Sequence, residues 1–210
     1  MVRPGPHLGS GVFGIRSAQS GDIGTAVATL GSAFAHDPLM LYLFAEHPTD
    51  VRAGAMDFFS ILFAARIALN MPAYVLHQAG EVRGAVMGYD TSRPAWPSAI
   101  TARWNQFEAG IPGFSARLAA YDGICTAHEP GEAHYYLGVI GVDPTLQGQG
   151  GGRALLDAFC ARSSADPASR GVYLDTANPA SLQFYYNNGF ELRGEGRLDG
   201  AAIWCVYKRT

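Results

Sequence analysis

The stretch from His134 to Phe159, HYYLGVIGVDPTLQGQGGGRALLDAF, constrains the fold of this chain more than any other. Tyr135 to Val142 is a short apolar run with β-branched and aromatic residues, and it reads as a buried strand. Asp143-Pro144 ends it, because proline has no N–H for the ladder and restricts the residue before it. Gln147, Gly148, Gln149, Gly150, Gly151, Gly152 and Arg153 follow, and then Ala154, Leu155, Leu156 and Phe159 at helical spacing. A strand, a glycine-rich turn and a helix in this order present free backbone N–H groups at the positive end of a helix dipole, an arrangement that binds phosphate. Glycine lets the backbone approach such a ligand where a Cβ would collide.

Two familiar phosphate-binding patterns fail on this stretch. A P-loop ends in a lysine, and the only lysine of the chain is Lys208. A dinucleotide fingerprint counted from Gly148 or Gly150 puts Arg153 or Leu155 at its last glycine, and such a motif normally opens a βαβ unit. At 210 residues the chain is long enough to bury a core without disulfide staples. Residues 1–11, rich in glycine and proline, read as a flexible segment, and residues 12–210 read as one domain. A net charge of -3 with no basic run argues against nucleic acid or an anionic membrane as partner. Cys125, Cys160 and Cys205 are too scattered for a disulfide framework or a thiolate zinc site, and read as small buried residues. The six histidines form no metal-ligand spacing, so no metal is expected. Without a signal-like or membrane-spanning run, a cytoplasmic location is expected.

Taken in order, Val12 to Arg16 reads as a first strand, and Asp22 as the cap of a helix carrying Ile23, Val27, Leu30 and Phe34. His36-Asp37-Pro38 breaks that helix, and Leu39 to Phe44 is apolar. Thr49 reads as the cap of a second helix through Phe58, Leu62 and Ile67. Ala73 to Gln78 and Val82 to Tyr89 read as a hairpin turning at Ala79-Gly80-Glu81. Residues 91–130 are the least legible, with helical stretches near Trp104 and Leu118 that suit either an insertion over a site or an ordinary connection. Val172 to Thr176 is another strand. Asn178-Pro179 then starts a short helix that Asn188-Gly189 stops, and Phe190 to Arg193 and Ala202 to Lys208 close the chain as a strand pair. The order implies a mixed α/β layered fold.

The pattern Gln147-x-x-Gly150-x-Gly152, with Asn178 and then Phe184-Tyr185-Tyr186-Asn187-Asn188-Gly189-Phe190, resembles the GNAT acetyltransferases. The resemblance implies a mixed, mostly antiparallel sheet flanked by helices and splayed at its central strands. It implies acetyl-CoA as co-substrate, with the amides of Gln147, Gly148, Gln149, Gly150, Gly151, Gly152 and Arg153 on the pyrophosphate. Main chain at Ile140, Gly141 and Val142 would pair the pantetheine arm, Asn178 would contact that arm, and Tyr185 would reach the CoA sulfur. Gly138 and Gly141 suit a bulge that opens the sheet there. Ala33-Phe34-Ala35, Val142-Asp143-Pro144, Gln183-Phe184-Tyr185 and Trp204-Cys205-Val206 resemble the puromycin-acetylating branch, while Gln149 and Gly151 depart from it.

The reaction so implied is direct attack of a neutral primary amine of a small molecule, such as an amine antibiotic of aminonucleoside type, on the thioester. Tyr185 would protonate the leaving thiolate, since a tyrosine of ordinary pKa, about 10, is protonated at working pH. A main-chain N–H near Ile140 to Val142 would polarise the carbonyl. The base that deprotonates the amine is expected among Glu132, His134 and Asp175, with His134 favoured because it shares a strand face with Tyr136. Trp96, Trp104, Phe107 and Tyr121 are candidates to line an acceptor pocket. Other readings are acetylation of a protein or peptide amine, and a CoA-binding domain without chemistry.

Overall fold

The structure is a computed structural model, and it describes residues 13–210. The expected flexible segment at residues 1–11 and the first residue of the expected strand, Val12, lie outside the described residues. The elements run β1 (Gly14–Ser17), α1 (Ile23–Ala33), α2 (Pro38–Leu43), α3 (Val51–Ala68), β2 (Ala73–Gln78), β3 (Glu81–Tyr89), α4 (Ser98–Ala109), α5 (Phe114–His128), β4 (Tyr135–Val142), α6 (Gly151–Ala165), β5 (Gly171–Thr176), α7 (Pro179–Asn187), β6 (Glu191–Leu198) and β7 (Ala201–Arg209). The seven strands form one sheet in the order β1-β2-β3-β4-β5-β7-β6. Every pairing is antiparallel except β4 with β5.

That parallel pair is the weak seam of the sheet. β4 and β5 match only at Tyr135–Val172 and Tyr136–Tyr173, so Leu137 to Val142 has no ladder on the β5 side. On its other edge β4 carries a bulge: Met87 faces Val139 and Gly88 faces Leu137, which leaves Gly138 as the extra residue. Gly141 is not part of that bulge. A Cβ there would lie 2.9 Å from Leu30 and 3.2 Å from Ala33 and Phe34, so its role is to let α1 close onto the strand.

Alternation along the strands sends side chains to two faces. One face packs Leu30, Phe59, Val139, Tyr173 and Cys205 under α1 to α5, and the other packs Val86, Leu137, Leu155, Phe159 and Leu174 under α6 and α7. All three cysteines are buried and free, as expected. Among the described residues no helix is long and apolar enough to cross a membrane, and no three His, Cys, Asp or Glu residues cluster as metal ligands.

Local signals were followed closely, with instructive exceptions. Asp22 precedes α1, but its carboxylate does not cap that helix. It receives the Gln19 N–H at 2.8 Å and both Arg16 guanidinium nitrogens at 2.7 Å, which ties β1 to the turn. Asp50, one residue after Thr49, caps α3 through the Ala53 N–H at 2.7 Å. The apolar run after Pro38 is a helix of its own, α2, with Asp37 accepting from the N–H groups of Leu39 and Met40 and Pro38 at its first position. β6 runs on to Leu198, well past Arg193, because β7 supplies a full antiparallel partner.

Candidate active site

The splay between β4 and β5 opens into two adjoining cavities, of about 620 and 460 Å³. They share Phe34, Asp37, Ile140, Ser181 and Tyr185, so one wall separates and joins them. The smaller one is built by the end of β4, the glycine-rich turn and α7. The larger one reaches across β4 to the aromatic side chains of α3, α4 and α5.

The floor of the smaller cavity is largely backbone. Asp143 ends β4, with its carboxylate 3.2 Å from Arg83 and accepting from the Thr145 N–H at 2.8 Å, which sets a 3₁₀ turn over Pro144–Leu146. The Thr145 hydroxyl, which also donates to this carboxylate at 2.6 Å, the Thr145 N–H and the Arg83 guanidinium hold the Asp143 carboxyl below its usual range. Gly148 and Gly150 then take φ of 77° and 89°, a left-handed conformation that other residues adopt only at a cost. A Cβ at Gly148, Gly150 or Gly152 would meet no protein atom within 4 Å, so these residues face open space. The N–H groups of Gly151, Gly152 and Arg153 lie in the first turn of the 15-residue helix α6, where no carbonyl sits one turn back.

Ile140, Gly141, Val142, Gln147, Gly148, Gly150, Gly152, Arg153, Asn178 and Tyr185 all line this cavity. Gln149 and Gly151, also placed in the cradle from the sequence, do not. The Gln149 amide turns back to the Thr145 carbonyl at 3.1 Å, and Gly151 is buried against Leu76 and Val142. The Asn178 carboxamide oxygen caps α7 through the Ala180 N–H at 2.9 Å.

Tyr185 borders both cavities. It is buried, its ring edge-on to Phe184 and Phe190, whereas Tyr186 is exposed on another face of α7. Burial pushes the Tyr185 hydroxyl above its usual pKa, with Asp175 and Asp37 adding to the effect. The hydroxyl is therefore protonated at neutral pH.

In the larger cavity the polar centre is Asp175, at the end of β5. It accepts a short hydrogen bond from the Tyr121 hydroxyl and one of 2.9 Å from Tyr136. Burial raises the Asp175 carboxyl above the usual carboxylate range, against the lowering influence of these tyrosines. Burial likewise raises Asp37 and Asp122 on the same wall. Trp96, Trp104 and Tyr121 line the cavity as anticipated. Phe107 does not, and packs instead with Phe44, Phe58 and Phe114.

His134 is not brought to either cavity. Its ring is buried between Tyr173 and Tyr207, with Nδ1 2.7 Å from the Glu132 carbonyl and Nε2 3.1 Å from the Glu129 carboxylate. It precedes β4 and, like Tyr136, packs against the Tyr173 ring, but it lies further from the splay. Glu132 lines neither cavity and takes the Tyr207 hydroxyl at 3.0 Å. Of the three candidate bases only Asp175 reaches the cavity. Sequence reasoning missed Asp37, whose Asp-Pro step was a readable helix start, and Arg66, a lone cation in the apolar run of α3.

Residues 115–192 match the family model for the acetyltransferase (GNAT) domain. Most of the chain superposes on solved structures of that kind. One is from Corynebacterium glutamicum and is described as histone acetyltransferase HPA2 and related acetyltransferase (TM-score 0.67, 22% identity, 92% of this chain and 94% of that one). Another is the Drosophila melanogaster polyamine N-acetyltransferase, an enzyme that forms N-acetylagmatine (TM-score 0.68, 17% identity, 95% and 100%). The fold is that of the GNAT acetyltransferases. A third similar structure is the ribosomal-protein-S18-alanine N-acetyltransferase of Escherichia coli (TM-score 0.55, 16% identity, 94% of each chain). With the domain match, the chain is an acetyltransferase, and enzymes of this domain use acetyl-CoA as co-substrate.

Proposed function

We propose that this protein transfers the acetyl group of acetyl-CoA to the primary amine of a small molecule held in the larger cavity. The observation that carries the proposal is the meeting of two cavities at Tyr185: one with a glycine-lined floor of free N–H groups, the other aromatic with a buried carboxylate. The small-amine substrate of the similar Drosophila enzyme supports the same class of acceptor. An aminonucleoside such as puromycin fits that class too, on the short motifs shared with the branch that acetylates it.

The open space at Gly148, Gly150 and Gly152 fits a pyrophosphate, which the first-turn amides of α6 would hold with the helix dipole. Bound acetyl-CoA supplies a reactive thioester. The free main chain of Ile140 to Val142 would receive the pantetheine as an added strand, and the Asn178 amide NH2 is left available by the cap. Tyr185 would give its proton to the departing sulfur. Asp175, its pKa raised by burial toward the working range, would take the proton of the incoming ammonium, replacing His134 in that role. Tyr136 and Tyr121 would hold its carboxylate in place.

Free-thiol release from acetyl-CoA, measured against a panel of polyamines, agmatine, puromycin, amino acids and peptides, tests the proposal. Turnover dependent on a small amine is expected. Acetylation of peptides alone, or thiol release that no amine accelerates, would overturn it.

A further inference from the structure

The larger cavity is electrically lopsided. Asp37, Asp122 and Asp175 stand on its wall toward α2, α5 and β5, whereas the guanidinium of Arg66, from α3, belongs to a different part of that wall. Arg66 is 5% exposed, and among the described residues its Nε and Nη1 have no hydrogen-bond acceptor and it has no carboxylate partner. Its guanidinium carbon lies 3.8 Å over the Tyr89 ring and 5.8 Å from the Trp96 ring. Arg93 stands 5.1 Å from the same Tyr89 ring, but it has a counter-ion in Glu129 at 3.7 Å. Stacking on rings orients Arg66 without neutralising it. A buried cation with unfilled donors is costly unless something pairs with it. Neither Arg66 nor its neighbours Tyr89, Arg93 and Trp96 lines the smaller cavity, whereas Tyr185 and Asp37 line both cavities.

We infer that Arg66 binds a carboxylate of the acceptor, so that the preferred substrates are amines carrying a carboxylate at the end remote from the reacting nitrogen. The inference rests on the acetyl-transfer reading above for which end reacts. Asp175 and Asp37 then receive the ammonium beside Tyr185, and the aromatic walls, Phe58 and Trp104 among them, cover the apolar span between the two charges. A single guanidinium set among ring faces matches one planar, singly charged carboxylate, the geometry in which arginine binds most strongly.

The test compares ω-amino acids of graded chain length with their methyl esters and with aminoalkyl phosphates, in thiol-release kinetics and in direct calorimetric binding with CoA present. For the best chain length, kcat/KM and affinity of the free acid are expected to exceed those of its ester by at least about tenfold. Arg66→Met should bring that ratio to about one, and Arg66→Lys should keep part of it, while the thermal shift with acetyl-CoA stays as in the wild type. Equal acids and esters in the wild-type protein would overturn the inference, even if Arg66→Met does not fold. A preference for the phosphates over the acids would overturn the carboxylate assignment. Esters turned over as well as acids would leave the acetyl-transfer reading standing. Arg66-dependent binding of the acid without any thiol release would sink that reading and not the anion site.

Discussion

The two cavities are made in different ways. The smaller is built mainly from neighbours in the chain: β4, the turn, the start of α6 and α7 supply most of it, much of it as backbone, with Ala33, Phe34 and Asp37 added from a remote segment. The larger collects side chains from α2, α3, α4, α5, β3, β4 and β5, which are far apart in sequence. A donor shared by every enzyme of this domain can be held by peptide groups, whose chemistry any sequence with the right φ values supplies. An acceptor that differs from enzyme to enzyme needs side chains, and these are free to vary around the same sheet.

If Tyr185 is where the two halves join, its hydroxyl should matter more to turnover than any other single group. Tyr185→Phe is expected to slow single-turnover acetyl transfer by about 10²–10⁴-fold, the range for one acid–base group, with acetyl-CoA binding retained. Tyr186→Phe, on the exposed face of α7, should be nearly silent. The reverse result would shift the junction by one residue.

Next in size, Gly150→Asp should damage the donor half alone. The left-handed φ of 89° strains an aspartate at this position, and its negative charge opposes an anion at the helix start. With acetyl-CoA at 100 times its Kd, the wild-type protein gains about 2.7 kcal/mol. The variant should lose most of that acetyl-CoA thermal shift, whichever acceptor is present. A folded variant with an unchanged shift would remove the cradle from the donor half.

Protonation sharpens the acceptor half. As the base, Asp175 must be ionised, so kcat/KM should fall as pH drops through its raised pKa, and Asp175→Asn should lose both that limb and most of the activity. Stability should run the other way. A carboxyl whose folded pKa lies above its unfolded value stabilises the protein fully below the unfolded value, roughly 3.9, and loses that contribution as pH rises through the folded value. Denaturant titrations should show wild type losing stability relative to Asp175→Asn across that window, and parallel curves would refute the assignment.

Smallest should be Asp50→Ala, which removes the cap of α3 at the edge of the acceptor half. A cost of about 1 kcal/mol is expected, about 2–4 °C in Tm for a chain of this size, with kcat unchanged.

What the sequence determined by itself follows this division. The strand–turn–helix at Tyr135 to Ala165, the cap at Asn178, the left-handed stop at Gly189 and the hairpin at Gly80 are short-range events. Each is set by the steric freedom of glycine, the missing N–H of proline or the reach of an Asn side chain, and each lay where it was read. Splaying was implied by the family resemblance, and the bulge at Gly138 was legible as a glycine inside a strand. Tertiary structure alone decided which side chains converge. The sequence favours His134 over Asp175 as the candidate base, but packing seals the first between Tyr173 and Tyr207 and opens the second onto the cavity. Phe107 and Trp104 lie on α4 in one aromatic cluster, but only Trp104 also lines the larger cavity. Arg66 became a buried cation with no counter-ion among the described residues because β3 and the segment after it laid Tyr89 and Trp96 against α3. Turn chemistry acts over four or five residues and can be read in one dimension, whereas burial and charge pairing depend on distances that exist only once the sheet has brought remote segments together.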